Sequence, residues 1–335
     1  MIRLLPVLLC VALVQGCATS GGSHNGALTL TVENDVFTGS DSDYSNGVAA
    51  TWASDEVSNY EPDSFVREWS DFWSFLPGRE GEDARNHVAW SLVQQIYTPE
   101  TISAPEPPPG EAPYAGLLYV DSLIYTRHED WGQVWHLRAG MVGPSTLGDR
   151  TQIQFHELID ADEPMGWDTQ LPDEPFLNLG YTFSYEWVNK VFGNGAMLRV
   201  SPLVNAELGT FATALGGGVF VEYGWNLPDA LGVSAIGQGF NSALVVGAAP
   251  TDHWEISFHA GIGGYGIAHY LPLDGTVFRD SRSQDRDPFA GQISAGIALR
   301  HKRFAASLGA SLLSGSFSDL ENSVDYGVLS VAWYL

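Results

Sequence analysis

Apolar and polar residues alternate with period two through much of the chain, in stretches of about ten residues separated by turn residues. Within 303–313, Phe304, Ala306, Leu308, Ala310 and Leu312 fall on one face, and Arg303, Ala305, Ser307, Gly309 and Ser311 on the other. The same alternation runs through 194–208 and 323–335. The pattern predicts strands at 26–37, 44–54, 86–97, 114–126, 132–143, 175–190, 196–210, 216–226, 253–266, 289–301, 303–315 and 323–335. Residues 241–249 read as a further strand or a strand extension. One face is apolar or aromatic and the other small or polar. A water-soluble sandwich would bury the apolar face, whereas a membrane barrel turns it to lipid. An even count of about twelve strands, with Tyr44, Trp52, Tyr97, Trp135, Trp225 and Trp254 near strand ends, favours a transmembrane antiparallel β-barrel.

Three stretches break the alternation. In 60–76, Phe65, Trp69, Phe72, Trp73 and Leu76 recur at helical spacing, which predicts a short amphipathic helix at the bilayer surface or in a barrel mouth. Residues 151–163 predict a second short helix, near the candidate chemistry described below. Residues 99–113 are Pro-rich and predict a loop. Gly216, Gly217 and Gly218 lie inside a strand pattern and read as close backbone packing.

Of the 335 residues, 15 are Lys or Arg and 40 are Asp or Glu, a formal charge of −25. Lys190 and Lys302 are the only lysines. A nucleic-acid binder needs a cationic surface to displace counterions, so that class is excluded. Residues 1–16 carry Arg3 ahead of an apolar run and read as a secretory signal peptide, leaving 26–335 as a single barrel domain. Residues 14–17 (VQGC) resemble a lipobox ending at Cys17, with ordinary cleavage within 16–25 as the alternative. Cys10 and Cys17 are the only cysteines, so a disulfide framework or thiolate site in the body is excluded.

Two polar constellations stand out. Glu33, Asn34 and Asp35, followed by Asp41, Asp43, Ser45 and Asn46, offer hard oxygen donors of the kind Ca²⁺ selects. An ordinary strand-to-strand turn uses the same residue types, so both readings stand. In 152–163, His156 sits among Glu157, Asp160, Asp162 and Glu163. A neighbouring carboxylate that fixes one ring nitrogen as donor leaves the other as a base for water; a solvated histidine is the plain alternative. No G-x-S-x-G or H-E-x-x-H motif occurs in a suitable context.

A series of short runs appears in fixed order: 30–37 (LTVENDVF), 43–47 (DYSNG), 95–99 (QIYTP), 113–116 (PYAG), 142–144 (VGP), Gln152 with His156, 166–171 (GWDTQL) and 174–175 (EP). Together they resemble the outer-membrane lipid A 3′-O-deacylases. The resemblance implies a twelve-stranded barrel in a Gram-negative outer membrane that removes the 3′-linked acyloxyacyl chain of lipid A by Ca²⁺-dependent hydrolysis. It implies His156 as the base that activates water, Asn34 and Asp35 as an essential pair, and Ser45 at a hydroxyl position. It implies Asp35 and Asp162 as metal ligands, with Asp162 where a glutamate stands in a relative. Residues 99–113 carry no counterpart of a lysine found after the Tyr-Thr-Pro motif. Lipid A or lipopolysaccharide of the outer leaflet is the expected partner, and the protein is expected to be a monomer. A phospholipase-like esterase and a non-enzymatic barrel that keeps the motifs for fold or metal reasons remain the alternatives. Asn34, Asp35, Ser45, His156 and Asp162 are expected to converge near one point of the barrel wall, at the level of the outer leaflet.

Overall fold

A computed structural model describes residues 26–35, 43–228, 250–314 and 323–335. The expected signal peptide, Cys17, Asp41 and the possible strand at 241–249 lie outside the described residues. The strands are β1 (Ala27–Asn34), β2 (Asp43–Ala53), β3 (Arg85–Thr98), β4 (Ala115–Arg127), β5 (Trp131–Val142), β6 (Glu174–Tyr185) and β7 (Val188–Val191). They continue as β8 (Ala196–Gly209), β9 (Ala212–Trp225), β10 (Thr251–Tyr270), β11 (Phe289–Lys302), β12 (Phe304–Ser314) and β13 (Ser323–Tyr334). Each pairs antiparallel with its neighbour, β13 returns to β1, and β6 pairs with β8, which closes the sheet. Closure leaves no row of unpaired peptide groups, the condition for a sheet to sit in lipid.

The ring has twelve strands because β7 continues β6. Ser184 stands opposite Leu203 and Val188 opposite Val200, so four residues on one side face three on the other. This one-residue bulge interrupts the strand predicted at 175–190 without ending it.

The two faces divide as the alternation predicts. Outward positions are apolar and exposed: Leu177 is 57 % exposed, Leu215 68 % and Leu308 55 %. Inward positions are largely polar and pair across the strands. Thr31 Oγ1 meets Ser330 Oγ at 2.9 Å, and Asn205 Nδ2 donates to Thr182 Oγ1 at 3.0 Å. Arg199 pairs with Glu186 at 2.8 Å and Glu222 at 3.1 Å, and His136 with Glu207 at 2.9 Å. Charged groups inside and leucine outside is the reverse of a water-soluble protein, and it requires an apolar solvent around the wall. One end of the interior is packed with Tyr44, Tyr97, Tyr119, Phe176, Phe211, Tyr270 and Tyr326.

The ends differ. At one, the links 128–130, 192–195 and Arg303 are short, with 54–84 and 226–250 as longer exceptions. The other, the loop-rich end, carries 99–114, 143–173 and 271–288, with 210–211 short, among the described residues. Loop 271–288 reaches across this end. The Glu174 carboxylate accepts from the Val277 and Phe278 amides at 2.7 and 3.0 Å. Arg282 donates to the Pro107 and Pro108 carbonyls of the Pro-rich loop.

Helix α1 (Phe65–Phe72) starts at Ser64, whose side chain accepts from the Arg67 amide. It is shorter than the predicted 60–76 because Pro62 disfavours helix just before it and the chain turns at Trp73. It lies on the outer wall at the turn-rich end, so of the two predicted helices α2 (Gly148–Ile159) is the one near the candidate site.

Candidate functional site

Asn34 ends β1 on the row of Leu30 and Val32, the outward face. The Asn34 Nδ2 donates to the Ser45 carbonyl at 2.9 Å. Ser45 occupies a bulge: Tyr44 pairs with Tyr97 and Asn46 with Ile96, leaving Ser45 as the extra residue. An extra residue switches the side on which those after it point. Tyr44 therefore turns inward, packing on Tyr97 and Tyr326 and donating to Glu33 Oε2 at 2.5 Å. The hydroxyls of Ser45 and Thr98 are hydrogen-bonded, and one of the two protons remains available to a further acceptor. Asp35 follows Asn34 and is 3 % exposed.

Helix α2 begins three residues earlier than the predicted 151 and ends at Ile159. Its start is set by docking: the preceding residue, Leu147, is left-handed at φ 59° and offers no side-chain cap. Gln94, on the outward row of β3, donates to the Thr146 carbonyl at 2.8 Å and accepts from Thr151 Oγ1 at 3.1 Å. Gln152 accepts from Trp167 Nε1 at 2.8 Å, and Trp167 packs on Tyr114 with ring centres 5.0 Å apart. Gly148 meets Gly116 of β4 backbone to backbone: a Cβ on Gly148 would sit 2.9 Å from Gly116 Cα. Thr98, Ile96 and Gln94 share the outward row of β3, so one strand face holds both Ser45 and α2. Gln94 and Thr98 are about 13 Å apart at the rise of a strand.

The helix ends at Asp160, left-handed at φ 59°, which turns the chain back on itself. This brings the Asp162 carbonyl to His156 Nδ1 at 2.5 Å. A carbonyl only accepts, so Nδ1 carries the proton and neutral His156 presents its Nε2 lone pair. The partner that fixes the ring is thus a peptide oxygen, where the sequence drew attention to carboxylates. Asp162's side chain is exposed.

The structure therefore forms two groups, Asn34 with Asp35 and Ser45, and His156 with Asp162. Both lie at the loop-rich end and are linked through the outer face of β3. Among the described residues no three His, Cys, Asp or Glu side chains meet as a metal-binding group. The donor chemistry at the head of β1 nevertheless suits a hard cation: a buried carboxylate, an amide oxygen and hydroxyls, with no sulfur. Gln94, Thr98, Gly116, Gly148 and Trp167 emerge as positioning residues. Apart from Gly148 they lie in or beside the ordered motifs, which was the available signal.

The model of the family described as Outer membrane protein LpxR matches residues 4–335. The chain belongs to that family. Among solved structures, LpxR from Salmonella typhimurium is similar at a TM-score of 0.72 and 16 % identity, over 92 % of this chain and 100 % of that one. The β domain of the Bordetella autotransporter BrkA aligns at TM-score 0.44 and 8 % identity, over 92 % and 98 % of the two chains. The translocator domain of NalP from Neisseria meningitidis aligns at 0.41 and 10 %, over 99 % and 97 %. No curated protein matches the sequence. The Salmonella likeness bears on the fold, and the LpxR family places the barrel in the outer membrane. Such barrels keep short turns in the periplasm and long loops outside. The loop-rich end, with both site groups, accordingly faces out.

Proposed function

We propose that this LpxR-family protein hydrolyses the ester that joins the 3′-linked acyloxyacyl chain to lipid A in the outer leaflet. The observation that carries the reading is His156, its Nδ1 proton held by the Asp162 carbonyl, on a helix docked to the lipid-facing side of the wall. Water attacks the ester carbonyl carbon and its proton passes to His156 Nε2. The tetrahedral intermediate then expels the sugar oxygen, which takes that proton back from the imidazolium. The products are the free acyloxyacyl acid and a 3′-hydroxyl, and the histidine returns to its starting state. The Asp162 carbonyl stabilises the imidazolium through the same Nδ1–H bond throughout. The paired Ser45 and Thr98 hydroxyls, in the other polar group, would donate to the oxyanion of an ester bound between the two groups.

Asp35 and the Asn34 amide oxygen would hold Ca²⁺, and the ion would add Lewis-acid polarisation of the carbonyl; Asp162, the other expected ligand, belongs to the separate group with His156. No serine nucleophile is needed, in keeping with the missing nucleophile motif. Lipid A incubated with the purified barrel and Ca²⁺ should lose the 3′ acyloxyacyl mass by mass spectrometry, and His156→Ala should not release it. Release from phospholipids alone, or unchanged lipid A with a folded barrel, would overturn the proposal.

A further inference from the structure

Segment 54–84 leaves the turn-rich end and folds back along the outer wall. It is fastened at several points. Trp69 Nε1 donates to Ser122 Oγ at 3.0 Å, and Gln133 Nε2 to the Pro77 carbonyl at 2.7 Å. His128 Nε2 meets the Gly78 carbonyl at 3.0 Å and its Nδ1 meets Asp83 at 2.9 Å. Arg79 ties the segment to itself, donating to the Ser70 carbonyl and hydroxyl at 2.6 Å each. Val57 and Val66 pack against Val88 and Ile124 of the wall.

At about 100° per residue, α1 has three faces. Val66, Ser70 and the following Trp73 turn to the wall, and the exposed Glu68 and Asp71 turn away from it. Phe65, Trp69 and Phe72 form the third face. Phe65 is 56 % exposed, Phe72 63 % and Phe75 70 %. These rings continue the aromatic surface of the strands. Trp52 stacks on Trp90 at 5.5 Å, Trp90 on Phe65 at 5.2 Å, and Trp69 on Phe72 at 6.0 Å. Trp73 extends the chain of contacts to Phe72 at 5.1 Å and Phe75 at 5.7 Å.

We infer that α1 and the turn after it form an interfacial foot that seats Phe65, Phe72 and Phe75 among phospholipid acyl chains of the periplasmic leaflet. The occupant follows from continuity: the patch is an unbroken extension of the lipid-facing wall, at the end of the barrel opposite the outward loops. A helix with one face on protein, one on aromatics and one charged belongs at a headgroup boundary. The foot fixes the depth of the barrel from below, whatever reaction occurs above.

The chain after Cys17 has no cysteine, which permits a direct test. Phe72→Cys and Phe75→Cys, each labelled with an environment-sensitive fluorophore and reconstituted in phosphatidylethanolamine/phosphatidylglycerol vesicles, should emit blue-shifted. Spin labels on the acyl chains should quench them. Asp63→Cys, on the exposed turn before α1, should report water. Phe65→Cys serves if either variant fails to give heat-modifiable migration of a folded barrel. Water-like emission at all aromatic positions overturns the inference. So does shielding that rises with protein concentration and ignores lipid spin labels, which would mean a second copy covers the patch.

Discussion

Replacing Gly148 with Ala separates the docking of α2 from its formation. Gly148 is the first residue of α2, so alanine gains less there than the ~1 kcal/mol by which it exceeds glycine in a helix interior. Docking loses: the new Cβ would lie 2.9 Å from Gly116 Cα and 3.2 Å from the Trp167 ring. Carbon atoms pack best at about 3.5–4.0 Å, so the helix must retreat by roughly 1 Å or distort its surroundings. Overpacking of this kind costs about 1–3 kcal/mol, more than alanine gains at the helix start. Thermal stability should therefore fall modestly. Activity should not be so tolerant, because a misplacement of about 1 Å in a catalytic group costs about 10²-fold in rate. The assay is the initial rate of lipid A deacylation beside heat-modifiable gel migration, which reports the intact barrel. Gly193→Ala is the control, because a Cβ there meets nothing within 4 Å. Wild-type turnover by a folded Gly148→Ala barrel would refute the claim that the Gly116–Gly148 approach sets the position of His156.

His156→Ala should lower the deacylation rate by about 10²–10⁴-fold with the barrel intact, the usual contribution of a general base; a loss under threefold would remove His156 from the chemistry. Chelation with EGTA should abolish turnover and added Ca²⁺ restore it, and Asp35→Asn should raise the Ca²⁺ concentration needed for half-maximal rate. Calcium titration curves that coincide for the two proteins would exclude Asp35 as a ligand. Asp83 is held below the usual carboxylate range, first by its hydrogen bond with His128. A depressed acid stabilises the fold above its unfolded value of about 3.9, and that contribution is lost as the pH falls through the lower folded value. Hydrogen exchange in 78–84 should therefore accelerate under acid below about pH 4, a dependence that Asp83→Asn should remove.

The strands were legible because a wall between lipid and a polar interior imposes a strict two-residue alternation, and each of the twelve predicted strands has its counterpart, 241–249 lying outside the described residues. Even the strand at 175–190 was readable across its break, since a bulge shifts the alternation without ending it. Helix placement was less legible. The aromatic spacing of 60–76 shows that α1 has an apolar face, but not which end of the barrel it meets; that depends on Ser122, Ile124 and Gln133, distant in sequence. For α2, Leu147 lacks the capping side chain by which a helix start is usually recognised, and the Gly116 contact takes its place. The Asp162 carbonyl was invisible for a different reason. Every residue has a peptide oxygen, and only the left-handed turn at Asp160 selects this one.

The packed interior supports placing the proposed chemistry on the outside of the wall. At the loop-rich end the lumen is filled by Tyr44, Tyr97, Tyr119, Phe176, Phe211, Tyr270 and Tyr326, while loop 271–288 is pinned across the mouth by Glu174 and Arg282. A lipid moving laterally in the leaflet meets the wall, not the lumen. The bulge at Ser45 serves both sides of that wall. Without the extra residue, Tyr44 would fall on the outward row of Asn46 and Val48, leaving a gap in the aromatic plug and a ring where Asn34 and Ser45 now meet. With it, Tyr44 completes the plug and the polar groups gather on the lipid side. Deleting Ser45 should consequently damage interior packing and the outer polar group together, whereas Ser45→Ala should remove only the hydroxyl and leave the Tyr44 contacts in place.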